Sequence, residues 1–215
     1  RMLYIHPDTF PLDLIDLVSE NKKILPYFDI PVQHADEEVL RAMRRSGSGE
    51  KYGELFQKIR EKNPDAVIRT TLMLGFPGED RAAFEKLLEF VKNAEPDWMG
   101  SFTYSREEDT PAYSMRNQKD HDKAQRVAKK WQKELEAVQS PITEKHLERF
   151  VGKTYRALEE EKIEGEDLAI GRIYSQAPDV DGLTVIMGRD MKPGDTVMVG
   201  IRAVRGVDLE GVKID

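Results

Sequence analysis

Three short segments carry polar groups that could do chemistry: Pro31-Val32-Gln33-His34, Gly75-Phe76-Pro77-Gly78-Glu79 and Ser105-Arg106-Glu107-Glu108-Asp109. Gln33 offers an amide able to hydrogen-bond a nucleoside or a peptide, and glycines let a backbone approach a ligand closely. His34 has an unperturbed pKa near neutrality, which suits acid–base work or the orienting of a ligand. A plainer reading keeps the same residues structural. Asp36 and Asp80 are good helix N-caps, Pro-Gly is an ordinary turn, and a loop histidine can simply hydrogen-bond its loop.

Other chemistries are excluded. The 215 residues contain no cysteine, so no disulfide, thiolate nucleophile, or thiolate-held zinc or iron–sulfur cluster can reside within them. His6, His121 and His146 are scattered without metal-ligand spacing. Asp179-Val180-Asp181-Gly182 places its glycine too early for a calcium loop, and Gly47-Ser48-Gly49-Glu50-Lys51 lacks the spacing and the preceding strand of a phosphate loop. The second reads as a helix–helix turn.

The elements that must position the polar segments follow from hydrophobic periodicity. Met2–His6 reads as a short strand, followed by Pro11 and a helical pattern through Leu14, Ile15, Leu17 and Val18. The order repeats with a strand at Tyr27–Val32, a helix opened by Asp36 that carries Val39, Leu40 and Met43, and a second helix with Tyr52, Leu55, Phe56 and Ile59. It repeats again with Val67–Leu74 and a helix in which Phe84, Leu87, Leu88 and Val91 share one face. Trp98–Tyr104 closes the series. Strands joined by helical crossovers imply a parallel sheet, and the three polar segments fall at the C-terminal strand ends where such sheets gather reactive groups. The fold class is therefore α/β. Four strands are too few to close a barrel; a complete open sheet is one reading, and a partial barrel with further strands before Arg1 is the other.

From Asp122 to about Gln139 a charged helix carries Val127, Trp131, Leu135 and Val138 on one stripe, with Pro141 expected to interrupt it. After Gly152 short β-rich runs at Thr154–Leu158, Ala169–Tyr174, Leu183–Met187 and Thr196–Val204 alternate with turn residues, which suggests a small all-β barrel. Charge is uneven along the chain. Residues 1–115 hold 15 basic against 21 acidic groups, 116–149 hold 9 against 6, and 150–215 hold 9 against 13. The net charge of −7 disfavours a nucleic-acid partner and suits a basic protein.

Tyr27-Phe28-Asp29-Ile30-Pro31-Val32-Gln33-His34, with Val39 to Arg45 after it, closely resembles the radical S-adenosylmethionine methylthiotransferases. Arg69 to Glu79 is similar to that family's strand and rim loop, and Ala177 to Gly182 resembles a stretch of its C-terminal TRAM module. The Asp29 to His34 form is similar to the branch that acts on a ribosomal protein rather than on tRNA. The resemblance implies a partial radical-SAM (β/α) barrel at 1–115, linker helices at 116–149 and a TRAM β-barrel at 150–215. It implies S-adenosylmethionine as cofactor and two 4Fe-4S clusters in the full-length enzyme, none held by this chain, which lacks the family's six cluster cysteines. It further implies reductive cleavage of the cofactor to a 5′-deoxyadenosyl radical and methylthiolation of the β-carbon of an aspartate in small-subunit ribosomal protein twelve. Carried over by position, Gln33, Thr71, Gly75 and Phe76 are the expected cofactor-binding residues; no residue is assigned a catalytic role and none a metal. A monomer in the cytoplasm is expected, with a ribosomal protein as partner, tRNA disfavoured and no membrane. Two alternatives stay open: a tRNA adenosine methylthiotransferase, and a non-catalytic fragment that only binds a partner.

Overall fold

The computed structural model describes residues 1–214, which divide into two compact units, one spanning Met2–Gln139 and the other running from Ser140 onward with Arg1. In the first unit, three parallel strands lie in the order β1 (Tyr27–Asp29), β2 (Val67–Leu74), β3 (Trp98–Thr103). Helix α1 (Asp13–Glu20) precedes β1; α2 (Glu37–Ala42) and α3 (Gly49–Lys62) connect β1 to β2, and α4 (Arg81–Ala94) connects β2 to β3. Side chains of Ser48, Asp36 and Asp80 cap α3, α2 and α4 by accepting from first-turn N–H groups. The α4 residues Phe84, Leu87, Leu88 and Val91 are all buried, as their spacing requires.

The expected first strand is reduced to a single parallel bridge between Met2 and Phe28. Met2 exchanges hydrogen bonds with Tyr27 and Asp29, but Tyr4 turns out of the ladder at φ 59° and Pro7 opens a short helical turn. Strand β1 is also shorter than its apolar run. Pro31 has no N–H to give the ladder, and the Thr70 hydroxyl fills the gap: it donates to the Ile30 carbonyl at 2.9 Å and accepts from Val32 N–H at 3.3 Å. Parallel pairing then resumes at Gln33 with Leu72.

The two faces of the sheet differ. Ile68, Thr70, Leu72 and Leu74 are fully buried. Ser101, the register partner of Leu72, accepts from Gln132 of the long helix α5 (Gln118–Leu147), so this is a helix-covered face. Asp29, Arg69, Thr71 and Gly100 alternate onto the other face.

Helix α5 runs through Pro141 without a break. A helical proline loses one backbone hydrogen bond, and the burial of Gln139, Ile142 and Thr143 around it outweighs that loss. The buried stripe is also rotated from the expected one. Val127 is exposed, whereas Ala128 and Leu135 are fully buried and Trp131 stacks on Phe84 with ring centroids 4.9 Å apart.

In the second unit, β4 (Thr154–Lys162), β5 (Leu168–Arg172), β6 (Thr184–Met187), β7 (Thr196–Arg205) and β8 (Asp208–Ile214) close a barrel in the order β4-β5-β6-β8-β7. Closure removes free sheet edges, and Ala157, Ala169, Ile186, Val199, Ile201 and Leu209 fill the interior. The strand β8 after the Gly206 turn completes the four runs read from the sequence.

Thr70→Val should lower unfolding stability by about 1–3 kcal/mol in denaturant titration, because two buried backbone groups lose their partner, while Thr70→Ser should retain most of it.

Candidate functional site

The C-terminal rim of the parallel sheet is organised by one carboxylate. The side chains of His34 and Glu79 are fully buried, with His34 Nε2 3.2 Å from Glu79 Oε1. Asp36 N–H can only donate, and it donates to His34 Nδ1 at 3.0 Å. The ring proton therefore sits on Nε2 and is given to Glu79. The other oxygen, Glu79 Oε2, accepts from Gly75 N–H. Glu79 thus ties the loop after β1 to the loop after β2, and His34 is a structural histidine of that tie.

The four residues expected to meet a cofactor sit around this junction in different roles. Gln33 takes φ 69°, donates its N–H to Thr71 carbonyl at 2.9 Å and accepts from Met73 N–H at 2.8 Å. Its side-chain Oε1 is buried and has no hydrogen-bond partner among the described residues. A buried acceptor left unpaired is costly, so this amide oxygen is suited to a donor from outside the chain. Thr71 is half-buried on the face opposite the helices, where its hydroxyl accepts from Arg69 Nη1 at 3.1 Å.

Gly75 and Phe76 serve the loop itself. Gly75 adopts φ +81°, and a Cβ there would stand 2.8 Å from the Ala128 Cβ, so both conformation and space demand glycine. Its N–H is taken by Glu79 and its carbonyl by Arg116 Nη1 at 2.8 Å; Arg116 Nη2 reaches the Phe76 carbonyl at 3.2 Å. The Phe76 ring is buried in a cluster with Val39, Ala83 and Tyr104, edge-on to Tyr104 at 5.0 Å.

Sequence reasoning passed over three contributors: Glu79 as the junction, Arg116 as the clamp from the chain before α5, and the Asp29–Arg69 pair. Arg69 left a signal as the one charged residue of β2, and Glu79 as the end of the second polar segment, but neither showed its partner. The third polar segment meets the junction through its clamp, since Arg106 donates to the Arg116 carbonyl at 2.7 Å; its other hydrogen bonds, from Arg106 to Tyr113 and Gln118 and from Ser105 to Glu107, stay local.

Residues 1–91 match the Radical SAM superfamily and residues 151–214 match the TRAM domain. Over its whole length the chain is similar to proteins named ribosomal protein uS12 methylthiotransferase RimO. The Treponema denticola relative is 43% identical over 234 residues, covering 100% of this chain and 49% of its own length. The Thermotoga maritima relative is 39% identical over 211 residues, covering 98% and 47%, and that of Aquifex aeolicus is 40% identical over 217 residues, covering 98% and 48%. The chain spans about half the length of these relatives.

Radical SAM proteins use S-adenosylmethionine with a 4Fe-4S cluster. The orphaned Gln33 amide fits the first. The cluster has no fit here: the chain lacks cysteine, and the described residues include no group of three or more His, Cys, Asp or Glu able to hold a metal. Among the described residues no helix is long and apolar enough to cross a membrane.

Asp36 gives the junction a pH dependence. Burial opposes its ionisation, but the Lys86 ammonium at 2.7 Å and the N–H groups of Val39 and Glu38 outweigh burial and hold its carboxyl below the ordinary 3.8. A depressed folded-state pKa contributes stability above the unfolded-state value and loses it as pH falls through the folded one. Thermal unfolding followed downward from pH 5 should therefore show a smaller acid-induced loss for Asp36→Asn than for the parent. Asp36→Ala should lose about 1 kcal/mol at neutral pH with the helix cap.

Proposed function

We propose that this chain supplies the later half of a radical-SAM (β/α) barrel at 1–115, a linker at 116–149 and a TRAM module at 150–215. The enzyme it serves would methylthiolate the β-carbon of an aspartate in the small-subunit ribosomal protein uS12. What carries the reading is the end-to-end similarity to uS12 methylthiotransferases at 39–43% identity.

S-adenosylmethionine, when bound, would supply the radical chemistry, with clusters held by residues outside this chain. The residues present bind and orient. Gln33 Oε1 accepts a donor from the cofactor, Thr71 contributes its hydroxyl from the open face, and Gly75 and Phe76 shape the loop that excludes water from the rim. The protein substrate is favoured over a tRNA adenosine by charge. Glu160, Glu161, Glu164, Glu166 and Asp167 crowd the exposed β4–β5 hairpin, a poor surface for phosphates and a good one for a basic protein. We further take the enzyme to be a cytoplasmic monomer.

The test is the full-length enzyme with reconstituted clusters, offered uS12 and tRNA in separate anaerobic reactions and read by mass spectrometry. One methylthio group on a uS12 aspartate is the expected product; modification of tRNA alone would overturn the reading.

A further inference from the structure

The open face of the sheet carries a polar relay that the binding reading leaves unused. Asp29 is 2% exposed at the end of β1, and its register partner Arg69 donates Nη1 to Asp29 Oδ1 at 3.3 Å. The other carboxylate oxygen accepts from Tyr4 N–H at 3.3 Å. The same Nη1 donates to Thr71 Oγ1 at 3.1 Å, one step along the same face of β2. Opposite Thr71 on β3 stands Gly100, where a Cβ would lie 3.1 Å from Arg69 Nη2 and 3.6 Å from Thr71 Oγ1. A glycine in a strand interior weakens the strand, and here it marks the place where a guanidinium comes close to the backbone.

We infer that Arg69 is a positioning residue that fixes Thr71 as a hydrogen-bond donor toward the cofactor. An arginine N–H can only donate, so it occupies an acceptor lone pair of Thr71 Oγ1 and leaves the hydroxyl proton to point elsewhere. With one lone pair taken, the free hydroxyl proton is the group Thr71 offers, which suits a ligand acceptor: a carboxylate, an ether or hydroxyl oxygen, or a ring nitrogen. Asp29 holds the guanidinium in register, and Gly100 gives it room. The inference rests on the proposal that Thr71 meets the cofactor.

A double-mutant cycle on the full-length, cluster-loaded enzyme tests it, with S-adenosylmethionine affinity measured by equilibrium dialysis and thermal unfolding run alongside. Thr71→Val should weaken binding about three- to tenfold, the size of one hydrogen bond, and Thr71→Ser should restore it. Arg69→Gln should weaken binding to a similar degree, and Arg69→Gln with Thr71→Val should be no weaker than Thr71→Val alone, since the arginine acts only through that hydroxyl. Because Arg69→Gln strands a buried carboxylate, the cycle is repeated with Asp29→Asn present, which removes both charges together. Multiplying losses in the double variant, or an Arg69→Gln enzyme of unchanged affinity, would overturn the positioning role while leaving cofactor binding intact. A parent enzyme with no affinity for S-adenosylmethionine would instead remove the reading beneath it.

Discussion

A single buried carboxylate decides whether the rim of this sheet exists as a surface at all. Glu79 takes a donor from each of two loops, His34 Nε2 after β1 and Gly75 N–H after β2. Burying a carboxylate without such partners costs several kcal/mol, so the loops are held in the one arrangement that satisfies it. The backbone of Gln33 is fixed by the same geometry, clipped on both sides of Leu72. Arg116 closes the arrangement by taking the carbonyls of Gly75 and Phe76. What the junction leaves over is the Gln33 amide oxygen, buried and without a hydrogen-bond partner among the described residues.

The division of the sheet into two faces explains why residues proposed to bind and residues that hold the fold interleave along one strand. On β2, Ile68, Thr70, Leu72 and Leu74 turn toward the helix-covered face and are fully buried, while Arg69 and Thr71 turn the other way and remain half-buried. Thr70 and Thr71 are adjacent and chemically alike, yet one repairs the break that Pro31 makes in the ladder and the other meets Arg69 on the open face.

Much of this architecture was legible in the sequence because it follows from short-range rules. The caps at Asp36 and Asp80, the apolar stripe of α4 and the apolar runs of β2 and β3 are local signals, and each fell where expected. The errors arose where distant residues decide. Met2–His6 looks like a strand, but Tyr4 leaves the ladder; Pro141 looks like a stop, but burial on both sides carries α5 through it. At the site, the motif around Gln33 was visible and the role of Glu79 was not, since nothing local shows that a glutamate at the end of one loop will be buried against a histidine 45 residues earlier. The same holds for Gly75, whose need for glycine comes from Ala128 on a helix far along the chain.

The central claim is that Gln33 is kept for a ligand rather than for the fold, and the near-isosteric Gln33→Met tests it in the full-length, cluster-loaded enzyme. Cofactor affinity and the cofactor-free thermal midpoint are measured together. Removing a buried acceptor that has no internal partner should leave the midpoint unchanged or raised while S-adenosylmethionine binding falls about tenfold. A lowered midpoint with affinity intact would show that the amide serves the fold, and would contradict the account.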